Sequence, residues 1–323
     1  MSESLEEYAL TRKITKKDAI HKVGIVGCGQ MGQEISRIIS KFGMDVVFLE
    51  ISEEKVQQTI NSIISQLDDE VNHWGLTLNE KKIILNRITG TTDYNKLSDC
   101  DLVIEAVNSR TTTSDIQLTR DVFKRIESVV DDETIIATNN STVMVSEIAA
   151  VLKKPERVIG LHFMSPASLV KIVEVVKGIA TSQKTYDIVC RFAKMIDRKV
   201  ITITESPGHV STRLIVTLIN EACELLLEGV ASIEAIDKIM KEGYGMQLGP
   251  FELADKIGLD KVVRWMDNLF EEYGLFKFKA SPIIKKLVRA HYYGKKAGKG
   301  FYKYNENGQI IGIAITTTDI KLL

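Results

Sequence analysis

A glycine-rich turn near the start of this 323-residue sequence has the spacing of a dinucleotide-binding loop. The apolar run 22–26 leads directly into GCGQMG at residues 27–32, and a helical pattern follows. Gly27 permits a tight turn, Gly29 lets a pyrophosphate approach the backbone, and Gly32 allows the helix to pack closely on the strand. The pyrophosphate would bind at the N-terminus of that helix. We expect cofactor contacts from the whole loop, namely Gly27, Gly29, Gln30, Met31 and Gly32.

A carboxylate follows the second predicted strand, residues 46–49. This residue, Glu50, comes 18 residues after Gly32, close to the position of the acid that binds the ribose hydroxyls in such folds. A carboxylate there would repel the 2′-phosphate of NADP. The sequence therefore predicts NAD as the cofactor.

A histidine and a glutamate interrupt two later apolar runs. His162 follows the apolar residues 158–161, and Glu174 lies inside the run 171–176. A buried carboxylate needs a partner, and His162 is the natural one. The pair would fix the imidazole tautomer and suit the ring to accept an alcohol proton. Because a histidine near a strand end is more often structural, this prediction depends on the dinucleotide motif. We expect structural roles for the other histidines, His21, His73, His209 and His291.

The elements that must position these residues follow an alternating pattern over the first 205 residues. Strands are predicted at 23–26, 46–49, 102–104, 134–138, 158–162, 171–176 and 200–203, and helices at 31–42, 52–74, 116–128 and 182–195. Such alternation predicts a mainly parallel sheet. After the breaker residues 206–208 the pattern is helical, with helices at 232–241, 259–273 and 281–292. We therefore predict a polar extension (1–21), an α/β Rossmann-like domain (22–205) and an all-α C-terminal domain (206–323).

Composition narrows the function classes. The chain has 42 Lys+Arg and 43 Asp+Glu, so its net charge of −1 argues against nucleic acid as a partner. It has no run of 18 apolar residues and no apolar N-terminal region, so neither a membrane span nor a signal peptide is expected. The four cysteines are widely spaced, which suits neither a disulfide framework nor a metal site. Reduced thiols predict a cytoplasmic protein.

Several longer segments of the sequence resemble the motifs of one known protein family. They are DLVIEAV (101–107), LHFMSP (161–166), KIVEVV (171–176), ESPGHVSTRL (205–214), GYGMQLGPFELADKIGLD (243–260) and GKKAGKGFYKY (294–304). Together with the GCGQMG loop, they resemble the 3-hydroxyacyl-CoA dehydrogenase family over residues 22–304. The resemblance implies a Rossmann domain and a helical domain that forms a homodimer. It also implies NAD-linked oxidation of a 3-hydroxyacyl-CoA, or the reverse reduction, and we expect a short-chain substrate such as 3-hydroxybutyryl-CoA.

The resemblance also implies roles for individual residues. By motif position, His162 corresponds to the general base and Glu174 to the acid that orients it. Ser141 matches the serine that hydrogen-bonds the substrate oxygen. Glu105, at the end of the VIEAV strand, matches an acid close to the cofactor.

Two substitutions depart from the family pattern. Thr212 stands where the family's PGFxxNR motif has a substrate-binding asparagine, and loss of one aligned hydrogen bond costs about 1–3 kcal/mol. Ser165 replaces the asparagine of HFFNP, which helps to hold the cofactor and its loop. We still expect Thr212 in the substrate site and Ser165 in the cofactor site.

Two further departures concern charge. Residues 108–115 form an apparent insertion where the family has a lysine, so Arg110 or Arg120 would have to substitute for it. The end of helix 52–74 carries Asp68, Asp69 and Glu70 where the family contacts the CoA nucleotide. These acids would either oppose phosphate binding or lie on a solvated face.

Three functions remain open on the sequence. The first is an NAD-dependent 3-hydroxyacyl-CoA dehydrogenase, and the second is a related oxidoreductase for another 3-hydroxy acid. The third is a non-catalytic NAD-binding dimer. The presence of His162, Glu174 and Ser141 favours an enzyme, while Thr212 and the acidic helix end keep the second function open. Residues 277–303 carry nine lysine or arginine residues and no aspartate or glutamate. This positive segment would either bind the phosphates of CoA or form a solvated helix face.

Overall fold

The computed structural model describes residues 20–73, 75–107 and 115–315. Residues 1–19 of the predicted extension, residues 108–114 of the apparent insertion with Arg110, and residues 316–323 lie outside this part. In the described part, no helix combines the length and the apolar character that crossing a membrane requires.

The first part of the chain forms an eight-stranded sheet. Its strands are β1 (Lys22–Val26), β2 (Asp45–Leu49), β3 (Ile88–Thr91), β4 (Leu102–Glu105), β5 (Ile135–Thr138), β6 (Val158–Phe163), β7 (Ile172–Lys177) and β8 (Lys199–Thr204). They lie in the order β3-β2-β1-β4-β5-β6-β7-β8. All pairings from β3 to β6 are parallel, and β6 and β7 are antiparallel. The predicted mainly parallel sheet is confirmed, and its order changes direction at β1 and β4, where such sheets bind ligands.

Six helices accompany the sheet, namely α1 (Gln30–Lys41), α2 (Glu53–Asn72), α3 (Leu78–Asn86), α4 (Asp115–Glu127), α5 (Val145–Ala149) and α6 (Gln183–Met195). The predicted helices match α1, α2, α4 and α6 to within two residues at each end. Side-chain caps explain several starts, since Ser52 accepts from Lys55 N–H and Ser182 from Thr185 N–H. Neither α3 nor β3 was predicted from the sequence.

The second part is helical, as predicted. It comprises α7 (Ser211–Leu227), α8 (Ile233–Lys238), α9 (Pro250–Ile257), α10 (Leu259–Tyr273) and α11 (Pro282–Arg289), followed by a hairpin of β9 (Tyr302–Tyr304) and β10 (Ile310–Ile313). These helices pack around a core of their own that includes Phe251, Met266 and Phe301. The hairpin is an addition to the predicted all-α architecture.

A buried carboxylate joins the hairpin to α9. Asp255 accepts the backbone N–H groups of Phe301 and Tyr302, both at 2.9 Å, and the hydroxyl of Tyr304 at 3.0 Å. A Cβ atom at Gly300 would lie 1.9 Å from Asp255 Oδ1, so this close approach requires glycine. Burial raises the pKa of Asp255 to about 6, against the opposing effect of these three hydrogen bonds.

The described residues form two compact units. Residues 20–107, 119–140 and 145–202 make up the sheet unit, apart from residue 74, and residues 115–118, 141–144 and 203–315 make up the helical unit. The short segment 141–144 therefore belongs to the helical unit, although it follows β5 closely in the chain.

Candidate active site

The glycine loop between β1 and α1 has the conformation that the motif requires. Gly27 has a φ of +86°, and a Cβ there would lie 2.8 Å from the backbone of Val107. A Cβ at Gly32 would lie 2.5 Å from the carbonyl oxygen of Gly27, so the helix can pack this closely only with glycine. At Gly29, by contrast, a Cβ would meet nothing within 4 Å. The loop thus leaves open space at the position where a pyrophosphate approaches.

The N-terminus of α1 can receive an anion. Its N-cap is Gly29, no side chain caps it, and its first turn has no acidic residue. Its first N–H groups and its dipole therefore favour a negative charge. Gln30 beside them is exposed, and Met31 packs against the core. These features fit the pyrophosphate of a dinucleotide.

Glu50 lies beside this loop, at the end of β2. Its Oε1 accepts the backbone N–H of Cys28 at 2.8 Å, and the N–H of Gly27 donates to the carbonyl of Leu49 at 3.0 Å. The carboxylate is thus fixed next to the turn, where ribose hydroxyls would reach it. Burial raises the pKa of the Cys28 thiol to about 12, so Cys28 packs as an un-ionised side chain.

Glu105 is completely buried at the end of β4. Its Oε1 accepts the N–H of Val107 at 2.7 Å, and its Oε2 accepts the hydroxyl of Thr138 on β5, also at 2.7 Å. Val107 in turn lies against Gly27. Glu105 therefore supports the cofactor loop through the backbone, and direct contact between Glu105 and the cofactor stays a prediction.

His162 and Glu174 face each other across β6 and β7. The two residues are directly paired in the antiparallel register, so their side chains project on one face of the sheet. His162 Nδ1 and Glu174 Oε2 are 2.6 Å apart, and the side chains are only 11% and 3% exposed. With Nδ1 donating to the carboxylate, a neutral imidazole has its acceptor lone pair on Nε2. This arrangement suits a general base.

Ser141 and Thr212 contact each other in the helical unit. Their hydroxyl oxygens are 2.9 Å apart, and each residue is 4% exposed. Thr212 lies in the first turn of α7. The four predicted catalytic residues thus form two pairs, His162 with Glu174 in the sheet unit and Ser141 with Thr212 in the helical unit.

The loop between β6 and β7 contains Ser165. This residue is exposed, and the nearby N–H of Ala167 donates to the buried carboxylate of Glu34 on α1. Asn139 also supports this region, because its Oδ1 accepts the N–H of Phe163 at 2.8 Å. Glu34 and Asn139 were not predicted as site residues. Asn139 begins a polar run, residues 139–142, that follows an apolar strand, and this pattern is a signal for a site residue. No pattern in the sequence indicated a role for Glu34.

The acidic end of α2 is largely neutralised. Asp68 forms an ion pair with Lys81 of α3, and Glu70 forms one with Arg37 of α1. These ion pairs reduce the electrostatic objection to a phosphate nearby. Of the two candidate replacements for the family's lysine, Arg120 lies 2.8 Å from Glu147, and Arg110 is outside the described residues.

Comparison with known proteins gives consistent matches. The model of the 3-hydroxyacyl-CoA dehydrogenase NAD binding domain matches residues 22–206, and that of the C-terminal domain matches residues 208–304. A 3-hydroxybutyryl-CoA dehydrogenase from Clostridioides difficile is 37% identical over 285 residues, which cover 88% of this chain and all of that protein.

Two crystal structures are also similar. FadB2 from M. tuberculosis has a TM-score of 0.85 and 33% identity, with 89% of this chain and all of that chain covered. The (S)-3-hydroxybutyryl-CoA dehydrogenase PaaH1 from Ralstonia eutropha has a TM-score of 0.80 and 36% identity, with the same coverage.

Proposed function

The chain belongs to the 3-hydroxyacyl-CoA dehydrogenase family of NAD-dependent oxidoreductases, and we propose that it interconverts 3-hydroxybutyryl-CoA and acetoacetyl-CoA. The observation that carries this proposal is the 2.6 Å contact between His162 and Glu174. The choice of a short acyl chain is supported by the relatives named 3-hydroxybutyryl-CoA dehydrogenase, which are 33–37% identical to this chain.

In the oxidative direction, His162 removes a proton and Glu174 supports it. Nε2 accepts the proton of the substrate's 3-hydroxyl, and the carboxylate stabilises the imidazolium that results. Because the carboxylate also holds Nδ1, the ring cannot rotate away during the transfer. In reduction, the same Nε2 returns the proton to the 3-oxygen. The nicotinamide cofactor held by the loop 27–32 and Glu50 would supply the hydride acceptor in oxidation and the hydride donor in reduction.

Other residues of the chain bind and orient the reactants. The loop 27–32 and the N-terminus of α1 hold the pyrophosphate, and Glu50 binds the ribose hydroxyls. Glu105 keeps the loop in place through the N–H of Val107, and Ser165 contributes to the cofactor site from the loop between β6 and β7. Ser141 donates a hydrogen bond to the 3-oxygen, which polarises the carbonyl in reduction.

We also propose a homodimer that forms through the helical unit. This unit exposes several large apolar side chains, among them Leu214 (65%), Val230 (63%), Tyr244 (77%) and Phe276 (76%). Burial of these side chains against a second copy of the chain would remove apolar surface from water, which favours association. A cytoplasmic location is supported by four cysteines that are all free thiols.

The test is to follow NADH oxidation with acetoacetyl-CoA and, in parallel, with free acetoacetate. We expect turnover of the CoA ester. Turnover of the free acid alone would refute the CoA substrate, and tight NAD binding without any turnover would support a non-catalytic role.

A further inference from the structure

The hydroxyl groups of Ser141 and Thr212 form one hydrogen-bonding unit. Each hydroxyl has a single proton, and the 2.9 Å contact between their oxygens uses one of the two. One O–H therefore remains to donate elsewhere. We propose that Thr212 is a positioning residue that acts through Ser141, orienting the Ser141 hydroxyl so that it donates to the 3-oxygen of the substrate. This inference rests on the proposed function.

The two side chains differ in their freedom to rotate. Thr212 is β-branched and lies within α7, where its χ1 angle is restricted, and it is 4% exposed. Ser141 lies between β5 and α5, outside any helix or strand, and its unbranched side chain is free of the β-branching that restricts χ1 in Thr212. The more rigid hydroxyl therefore fixes the more mobile one.

The backbone around Ser141 is held independently of this contact. The N–H of Gly208 donates to the carbonyl of Ser141 at 2.7 Å, and Asn268 of α10 donates to the hydroxyl of Thr142 at 3.2 Å. The Cα position of Ser141 is thus set by these bonds. Loss of the Thr212 hydroxyl should change the direction of the Ser141 hydroxyl and leave the backbone in place.

Threonine at this position has a consequence that an asparagine would not have. An asparagine amide carries two N–H donors and can serve a neighbouring hydroxyl and a substrate oxygen together. Thr212 has one proton, so the Ser141–Thr212 pair offers the substrate one donor. Removal of either hydroxyl should therefore weaken the same substrate hydrogen bond, and the two losses should not add.

The experiment is a double-mutant cycle with Ser141→Ala, Thr212→Val and the double variant. Thr212→Val keeps the shape of the side chain, and Thr212→Ser keeps its hydroxyl. Thr217→Val is the matched control, because the Thr217 hydroxyl donates to the α7 carbonyl of Arg213, at 2.8 Å. The measured quantities are kcat and KM for acetoacetyl-CoA reduction, the Kd for NADH, and the free energy of unfolding.

We expect Ser141→Ala to lower kcat by about 10- to 100-fold, as loss of one aligned hydrogen bond does. Thr212→Val should lower kcat by at least about fivefold, with KM and the NADH Kd nearly unchanged. The reason is that the hydrogen bond from Ser141 to the substrate's 3-oxygen strengthens as negative charge develops on that oxygen in the transition state. The double variant should resemble Ser141→Ala, Thr212→Ser should be more active than Thr212→Val because it keeps the hydroxyl, and Thr217→Val should have little effect.

Losses that multiply in the double variant would overturn the inference, because Thr212 would then act independently of Ser141. Failure of the proposed function is a separate result, namely no turnover by the unmodified protein. In that case the cycle is evaluated on the free energy of unfolding. Additive losses there would overturn the coupling between the hydroxyls, and a clear coupling energy would support it.

Discussion

His162 on β6 and Glu174 on β7 lie directly opposite each other, with Nδ1 and Oε2 2.6 Å apart. The contact follows from the antiparallel register, since a shift by one residue would turn either side chain to the other face of the sheet. The eleven residues between them in the sequence include the loop that contains Ser165. The fold of β6 and β7 thus produces the acid–base pair.

Glu174 should be needed for the charge that it places beside His162. Glu174→Gln keeps the size of the side chain and removes the charge that stabilises the imidazolium. We expect kcat for 3-hydroxybutyryl-CoA oxidation to fall at least about tenfold, with the Kd for NAD unchanged. Steady-state kinetics and a cofactor titration would measure this. A variant with unaltered kcat would show that Glu174 serves only to hold the strands together.

Glu50 should determine the preference for NAD over NADP. Glu50→Gln keeps an oxygen that can accept the Cys28 N–H, but it removes the charge that repels a 2′-phosphate. We expect the ratio of kcat/KM for NADPH to that for NADH to rise at least about fivefold, which corresponds to about 1 kcal/mol of lost repulsion. An unchanged ratio would place the 2′-phosphate away from Glu50.

Gly29 should matter for the cofactor and not for the fold. A methyl group at Gly29 meets no protein atom within 4 Å, yet it enters the space left for the pyrophosphate. We expect Gly29→Ala to raise the Kd for NAD at least about tenfold, roughly 1.4 kcal/mol, with little change in Tm. Gly243→Ala, which also meets open space, is the control. Equal NAD affinity in the two variants would contradict this assignment of the loop.

Asp255 should make the protein less stable as the pH rises through the mildly acidic range. Its pKa is raised from 3.8 to about 6 by burial, so between these values the folded state binds more protons than the unfolded state. The contribution of Asp255 to the free energy of unfolding should therefore fall as the pH rises from about 4 to 6, by something on the order of 3 kcal/mol. Denaturant unfolding of the unmodified protein and of Asp255→Asn between about pH 4 and 6 would measure the contribution of Asp255. Parallel curves for the two proteins would contradict the raised pKa.

Much of this architecture could be predicted from local patterns, and the exceptions have physical reasons. After a charged first residue, strands β1 and β2 are apolar and buried, whereas β3 reads ITGT and has no buried residue. Helix α3 buries only Ile84, so its apolar periodicity is weak. Both elements depend on tertiary packing, which outweighs their intrinsic signal.

The site was predictable where its residues belong to motifs and less so where distant segments meet. Glu105 was expected near the cofactor, but its bond to Thr138 depends on the register between β4 and β5. The contact between Ser141 and Thr212 joins positions 71 residues apart. The ion pairs of Asp68 and Glu70 likewise require the arrangement of three helices. Sequence patterns alone do not contain such relations.

The central claim is that His162 is the proton-transferring residue of a 3-hydroxyacyl-CoA dehydrogenase. Its most direct test is the kcat for acetoacetyl-CoA reduction by NADH in the unmodified protein, in His162→Ala and in the control His73→Ala, whose imidazole is exposed on α2's C-terminal side. We predict a loss of at least about 100-fold in His162→Ala, with the NADH Kd preserved, and no loss in the control. Activity of His162→Ala close to that of the unmodified protein would contradict the account.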